Sequence, residues 1–275
     1  MESEIFPPIP PDTSKVASAV FGRSNFYIAV GNQANWLFDG SVPNDSTIGG
    51  NRKKAMLYLI TIFQIVETLP DQFAAEAVRN RVDWKYALHL PLNYSGQDPS
   101  TLCEFRKWLR SAPAREQKLE QLISKVNQVM DASGSKFFSL DTNKALVYIC
   151  LTSRVMEVYE TVSQVLETLA TRRPELLRSL SLPHWYKRYS HHQKDLIPTM
   201  ERAQLLPLAN AIGMDVYHLL KSISTSELDS LSGLAEIAAL KQIWHEQYTY
   251  SQGEYTWKNN DCEQCSGSFS TAKFS

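Results

Sequence analysis

Residues 52–69, RKKAMLYLITIFQIVETL, constrain the fold more than any other stretch of this chain. After a basic start the segment is apolar on nearly every side of a helical wheel, with no polar stripe to face water. Such a helix must be wrapped by other elements. Its apolar middle, 55–66, is interrupted by Thr61 and Gln64 and falls short of the ~20 residues that cross a bilayer. The segment is therefore expected to be a core helix of a soluble protein. A chain of 275 residues is long enough to build one or two such cores around it. With 43% hydrophobic and 21% charged residues, the composition fits a globular class. The formal net charge of -1 excludes an overall basic field, so any nucleic-acid surface must come from local clustering of charge.

The rest of the chain reads as helices and loops. Pro70 stops the core helix, and Asp71 is positioned to cap the next, DQFAAEAVRNRV, where Phe73, Ala74, Ala77 and Val78 recur at helical spacing. DWKYALHL is a third short helix, starting at Asp83 and ending before Pro91. After the loop NYSGQDPS, STLCEFRKWLR is expected as a fourth, with Ser100 as N-cap and Glu104 near the capping-box position. REQKLEQLISKVNQVM is amphipathic. Phe137, Phe138 and Leu140 suggest a short strand. A long helical run follows, with a stripe of Val155, Tyr159, Val162, Leu166 and Leu169. LPHWYKRYSHH reads as an aromatic, basic loop. Two helices over roughly 200–221 and 233–248 come next, and GEYTW suggests one strand of an unfinished hairpin. The stretch 1–50, with PPIPP, GRSNF and a Gly/Ser/Asn-rich segment, reads as an arm carrying two short helices and not as a domain core. The expected class is mainly α. The expected division is an N-terminal arm at 1–50, a helical domain at 51–112, a mostly helical second part at 113–258 and a disordered tail at 259–275. The N-terminus is acidic and Pro-rich, unlike a signal peptide, which makes a cytoplasmic location without membrane contact the expectation.

Three helices with tight breaks between 57 and 109 suit a helix-turn-helix-like bundle. Arg79, Arg81 and Lys85 could face one phosphate backbone. Arg106, Lys107 and Arg110, around Trp108, could meet a second, and Arg52, Lys53 and Lys54 supply a basic helix start. Cations at helix edges neutralise phosphates and release counterions. The same charges also fit solvated helix faces, some paired with Glu76, Asp83 or Glu104. Charge pattern alone does not choose between the two. Cys103 and Cys150 sit among apolar neighbours as buried free thiols. Cys262 and Cys265 form a CxxC, half a zinc site without a second pair. His191 and His192, near His184, are weighed as metal ligands against solvent-exposed side chains, the commoner role of adjacent histidines in a polar loop.

The residues LPDQFAAEAVRNRVDWKYALHLPL, followed after a short loop by STLCEFRKWL, resemble the N-terminal domain of InsH-type insertion-sequence transposases, with the elements in the same order and close spacing. More loosely, PPIPPDTSKVASAVF, NFYIAVGNQANWLF and GLAEIAALKQIWHEQYTY resemble flanking segments of that family. The resemblance implies double-stranded DNA as partner, in particular the terminal inverted repeats of an insertion sequence, and a homo-oligomer or a full-length transposase as protein partner. It also implies a DDE, RNase H-like catalytic domain using Mg2+ or Mn2+. The first metal-binding carboxylate corresponds to Asp141, in Ser139-Leu140-Asp141-Thr142, where Leu140 stands in place of the family's Thr. Two-metal chemistry needs a carboxylate cluster. In the family the second Asp and the Glu lie well beyond the QIWHEQY segment, and Glu246, Glu254 and Asp261 do not stand in their motif contexts. The expectation is therefore a DNA-binding chain that is catalytically incomplete alone and holds no metal alone, with Asp141 acting as the N-cap of the helix that follows. The competing expectation is a helical interaction or regulatory module built on the Val155–Leu169 stripe.

Overall fold

The computed structural model describes residues 4–22, 24–38, 42–43, 48–132, 142–225, 235–251 and 254–258. Among them are fourteen α-helices, one 3-10 turn and one two-stranded hairpin, so the fold is mainly α. The chain divides into two compact units, residues 1–145 and 146–275.

In the first unit the core helix is α4, Asn51–Glu67, and every residue from Lys54 to Ile65 is buried. Its end is set locally. Thr68 takes the left-handed conformation, and the N–H of Leu69 closes back on the carbonyl of Gln64 at 3.0 Å. Pro70 then precedes α5, Asp71–Asn80. A single extended residue, Arg81, turns the chain into α6, Val82–Ala87. The next helix, α7, spans Pro99–Arg110. Its N-cap is Asp98 and not Ser100: the Asp98 carboxylate accepts the Ser100 N–H at 2.8 Å. Hydrogen bonding to the Ser100 side chain, and then that N–H, hold the carboxyl below its usual range. Pro99 explains the shift, since a proline at the first helical position surrenders an N–H that had no partner anyway. Asp71 likewise is no cap. It lies inside the first turn of α5 and is buried.

The first fifty residues are not a free arm. They form α1 (Pro11–Val20), α2 (Phe26–Asn32) and α3 (Ala34–Phe38), and Phe6, Ala17, Tyr27, Ile28, Val30, Leu37 and Phe38 are buried. These rings close the core around α4: Phe38 lies against Tyr58, and Tyr27 and Trp84 both lie against Phe63. Edge-to-face pairs of this kind add to the area they bury. His89, itself left-handed, places its two ring nitrogens against the carbonyls of Pro7 and Gly31 and so ties the N-terminal strap to the end of α6. Gly31 is required where α2 crosses α6, because a Cβ there would stand 2.8 Å from the Tyr86 ring and 3.0 Å from the Ala87 backbone. Finally α8, Pro113–Ala132, packs on α2, α3 and α7. The first unit therefore runs past 112, the boundary expected from the sequence.

The second unit is built on α9, Thr142–Arg172, the longest helix. Its stripe of Val155, Tyr159, Val162 and Leu169 is buried, and Leu166 is half-buried. The segment expected as an aromatic loop is helical in short pieces. After α10, Pro174–Leu180, come α11, Trp185–Arg188, and α12, His191–Leu196. A 3-10 turn, Ile197–Thr199, leads toward α13, Arg202–Thr225. Trp185 anchors α11 by burying its ring against His218 of α13. Helix α14, Ala235–Gln247, runs directly into β1, Tyr248–Ser251. The hairpin is complete: β1 pairs antiparallel with β2, Glu254–Trp257, placing Tyr248 opposite Trp257 and Ser251 opposite Glu254. Arg154 of α9 fastens it, bonding Gln247 Oε1 at 2.6 Å and the Lys258 carbonyl at 3.0 Å while its guanidinium lies over Trp257.

Candidate nucleic-acid interface

The nine cations singled out in the first unit separate by burial. Three lie inside. Lys54 is buried and donates to the Pro43 carbonyl at 2.8 Å. Lys85 is buried and donates to the Leu92 carbonyl, and burial lowers its pKa. Arg106 forms a two-pronged pair with the Asp71 carboxylate, both side chains less than a tenth exposed. Gln64 completes that cluster, donating from one amide nitrogen to Asp71 at 2.9 Å and to the Leu69 carbonyl at 3.1 Å. None of the three presents its charge at the surface, which removes Lys85 from the set expected to face one phosphate backbone, Arg106 from the set expected to meet a second, and Lys54 from the basic helix start. The physical reason is that each lies on the core side of its helix, where a cation persists only with acceptors of its own.

Arg81 is intermediate. It meets both oxygens of Glu67 at 2.7 Å and both of Asp83 at 2.7–3.1 Å, and its guanidinium packs over Tyr27 and Trp84. Burial opposes its charged form, but the two carboxylates outweigh that and raise its pKa. Its charge is thus neutralised within the protein. The same Glu67 accepts the Tyr27 hydroxyl, which burial and the neighbouring carboxylate hold far above the usual phenol range.

The remaining five reach the surface. Arg52, Lys53, Arg79 and Lys107 are exposed and Arg110 is half-exposed. Arg79 donates to the Ser95 carbonyl at 3.0 Å, beside Gly96, whose φ of +100° a Cβ would strain. Arg52 reaches the His89 carbonyl at 3.4 Å. The loop after α6 therefore has Arg52 at its start and Arg79 at its far end. Arg52 and Lys53 also stand in the first turn of α4, which has no acidic residue and no side-chain cap. Positive side chains at the positive end of a helix dipole repel it, and an external anion would relieve that repulsion. Lys107 and Arg110 end α7, where cations suit the dipole.

Sequence reasoning missed Glu67 and Asp71 as the partners that consume Arg81 and Arg106. They stand 14 and 35 positions away, beyond any local charge pattern. Of the other candidates, Asp141, Glu254, Asp261, Cys262 and Cys265 have no described side chains, and the strand expected at 137–140 also lies outside the described residues. Glu246 is exposed and accepts from Gln242. Cys103 and Cys150 are half-buried, not fully enclosed. His184 bonds Asp215. Among the described residues no group of three or more His, Cys, Asp or Glu is placed to hold a metal ion, and no helix is long and apolar enough to cross a membrane.

Fold and surface together define a mainly helical protein of two compact units, the first with exposed cations at helix ends. No protein-family model, curated protein or solved structure matches the chain.

Proposed function

We infer that the chain is a transposase-like protein that binds double-stranded DNA through its first unit, with the terminal inverted repeats of an insertion sequence as the target. The sequence block that resembles InsH-type transposases supplies the family. The observation that carries the DNA contact is the set of exposed cations Arg52, Lys53, Arg79 and Lys107 at helix ends, above all the pair in the uncapped first turn of α4. Phosphate is the anion such a turn accepts, through N–H groups and side chains together. The residues of the motif itself have another task. Asp71, Asp83, Trp84, Lys85 and Arg106 are buried and hold the helices in register, so the motif marks a scaffold and the exposed cations mark the contact. A second transposase chain, or another copy of this one, is the protein partner the same reading expects. No catalytic step and no metal is assigned to the chain.

Fluorescence anisotropy with a duplex of the element's end, against a random duplex of equal length, tests the reading. Tighter binding to the end sequence is expected. Replacing Arg79 or Lys107 by Ala should flatten the plot of log affinity against log salt by about one contact, a slope change of ~0.9 each. Equal affinity for both duplexes removes the terminal-repeat claim. Absence of binding to either at low salt removes the DNA claim altogether.

A further inference from the structure

His89 is the one histidine of the first unit; the other five stand at 184, 191, 192, 218 and 245. It is 7% exposed, and its ring lies between the N-terminal strap and α2. Nδ1 stands 2.5 Å from the Pro7 carbonyl oxygen and Nε2 stands 2.9 Å from the Gly31 carbonyl oxygen. A carbonyl oxygen only accepts. A neutral imidazole carries one N–H and one lone pair, so it satisfies one of these oxygens and turns a lone pair on the other. Flipping the ring gives no relief, because it sets C–H groups at distances well inside the ~3.3–3.6 Å that such contacts need. The imidazolium, with an N–H on each nitrogen, donates to both.

The surroundings favour that cation. Gly31 lies in the last turn of α2, the end of a helix at which positive charge is stabilised. The Phe6 ring stands 5.3 Å from the imidazole, centroid to centroid, and an aromatic ring attracts a cation at that range. The charged groups on the neighbouring elements are Glu4 of the strap, Asp12 and Lys15 of α1, Arg52 of α4, and Asp83 and Lys85 of α6; α2 and α3 carry none. Glu4, Asp12 and Lys15 are exposed. Asp83 is committed to Arg81 and Lys85 to the Leu92 carbonyl. Arg52 bonds the His89 carbonyl, not the ring. The hydrogen-bond partners of the ring are therefore the two carbonyls, and holding both takes both ring protons.

The two carbonyls differ in what holds them. Gly31 belongs to a helix that crosses α6 with no room for a Cβ. Pro7 belongs to a strap without regular secondary structure. Besides His89, the strap is held by Asn35, which accepts the Phe6 N–H at 2.8 Å and donates to the Phe6 carbonyl at 3.0 Å, and by the buried Phe6 ring. The repulsion left by loss of a ring proton thus falls on the strap. We propose that His89 is a proton-operated latch: with both ring protons it holds residues 4–10 closed on the first unit, and loss of one releases them. The latched form binds one proton more than the released form. Acid therefore closes the latch and rising pH opens it, over roughly pH 5–8, where histidines change charge. Arg52, a cation of the proposed duplex surface, is bonded to the carbonyl of the same residue, so the latch adjoins that surface. The latch does not depend on DNA binding.

Hydrogen exchange of the full chain, read by mass spectrometry on N-terminal peptides spanning Phe6 and Ile9, tests it. Protection is taken relative to the intrinsic exchange rate at each pH. From about pH 5.5 to about pH 8.5 it should fall at least about tenfold, the fold-change expected from losing one hydrogen bond to a charged group. His89→Gln keeps a donor but cannot titrate, so its strap protection should start below that of wild type and stay flat across the same range. The five histidines of the second unit are intact in that variant, and a pH response that persists in it overturns the proposal. Long-range 1H–15N spectra of the wild-type ring supply a readout that needs no variant: two protonated ring nitrogens are expected while the strap is protected. A neutral ring in the strap-protected protein, or wild-type strap protection that does not change with pH, overturns the latch. Neither measurement uses DNA, so a failure of duplex binding and a failure of the latch are told apart.

Discussion

Asp71 and Arg106 show how far the value of a charged residue depends on where it sits. They lie 35 positions apart and meet in the core of the first unit, with Gln64 as third member. A pair taken out of water contributes little net stability, yet removing one partner strands the other. Asp71→Asn is therefore expected to cost about 3–5 kcal/mol in urea unfolding, the range for breaking a buried pair. The double change Asp71→Leu with Arg106→Met should recover much of that, and a double variant as unstable as the single one would show that the cluster does more than satisfy itself. Lys85 gives the complementary case. Its ammonium donates to the Leu92 carbonyl from a buried site, and burial lowers its pKa. A folded-state value below the unfolded one means the unfolded chain binds more protons between the two. Stability attributable to Lys85 thus rises with pH as 10.5 is approached from below. Lys85→Met should flatten that alkaline rise in the pH dependence of urea unfolding and leave the salt dependence of duplex binding unchanged. A loss of one phosphate contact in the salt slope would instead return Lys85 to the surface.

At the scale of elements, the sequence was legible wherever the decisive interaction is local. Helix α4 followed from a wheel with no polar stripe. Its end followed from Pro70, and the order α5, α6, α7 from periodicity and breaks. The first strand of the hairpin, the packing of α1–α3 and the helical pieces at 185–196 were not legible, because their determinants are long-range. Trp185 is held by His218, and the 1–50 stretch by His89 reaching Pro7 and Gly31. Of the candidate interface, cation positions could be read from the chain, but their burial could not, since Arg81 and Lys54 depend on Glu67 and Pro43. Two glycines test whether the crossings are as tight as described. Ala is the better helix former, so Gly→Ala in an open helix should stabilise by about 0.5–1 kcal/mol. At Gly31 the new Cβ meets the Ala87 backbone at 3.0 Å, and at Gly213 it would stand 2.3 Å from the Tyr248 ring. Overpacking then outweighs propensity, and each variant should lose about 1–3 kcal/mol. The reading of α2 against α6, or of α13 against β1, is wrong if the corresponding variant melts higher than wild type.

Across the whole molecule, four buried tyrosines and the half-buried Tyr189 set a limit on alkaline stability. Tyr27 and Tyr58 in the first unit, and Tyr159, Tyr189 and Tyr248 in the second, all have pKa values raised chiefly by burial. Tyr159 is pushed up from 10.0 to about 12. In all five the hydroxyl is also committed as a donor to a backbone carbonyl or to a carboxylate: Tyr27 donates to Glu67, Tyr58 to the Arg115 carbonyl at 3.1 Å, Tyr159 to the Ser190 carbonyl at 2.8 Å, Tyr189 to Asp215 at 2.8 Å and Tyr248 to the Ala209 carbonyl at 2.7 Å. A phenol that stays protonated in the fold and ionises in the unfolded chain contributes stability that is fully present below pH 10 and is lost as pH rises through its folded value. Helical circular dichroism and near-ultraviolet tyrosinate absorbance, followed together, should show these phenols ionising only as helix is lost. Tyr159→Phe separates the terms. It removes a hydrogen bond, at a cost of about 1 kcal/mol near neutrality, but it also removes one proton that the unfolded chain releases above pH 10. Its deficit against wild type should therefore shrink between pH 10 and about 12, the value to which Tyr159 is raised. A deficit that stays constant over that window would mean that Tyr159 ionises as readily in the fold as out of it, and that burial of its ring does not protect the hydroxyl.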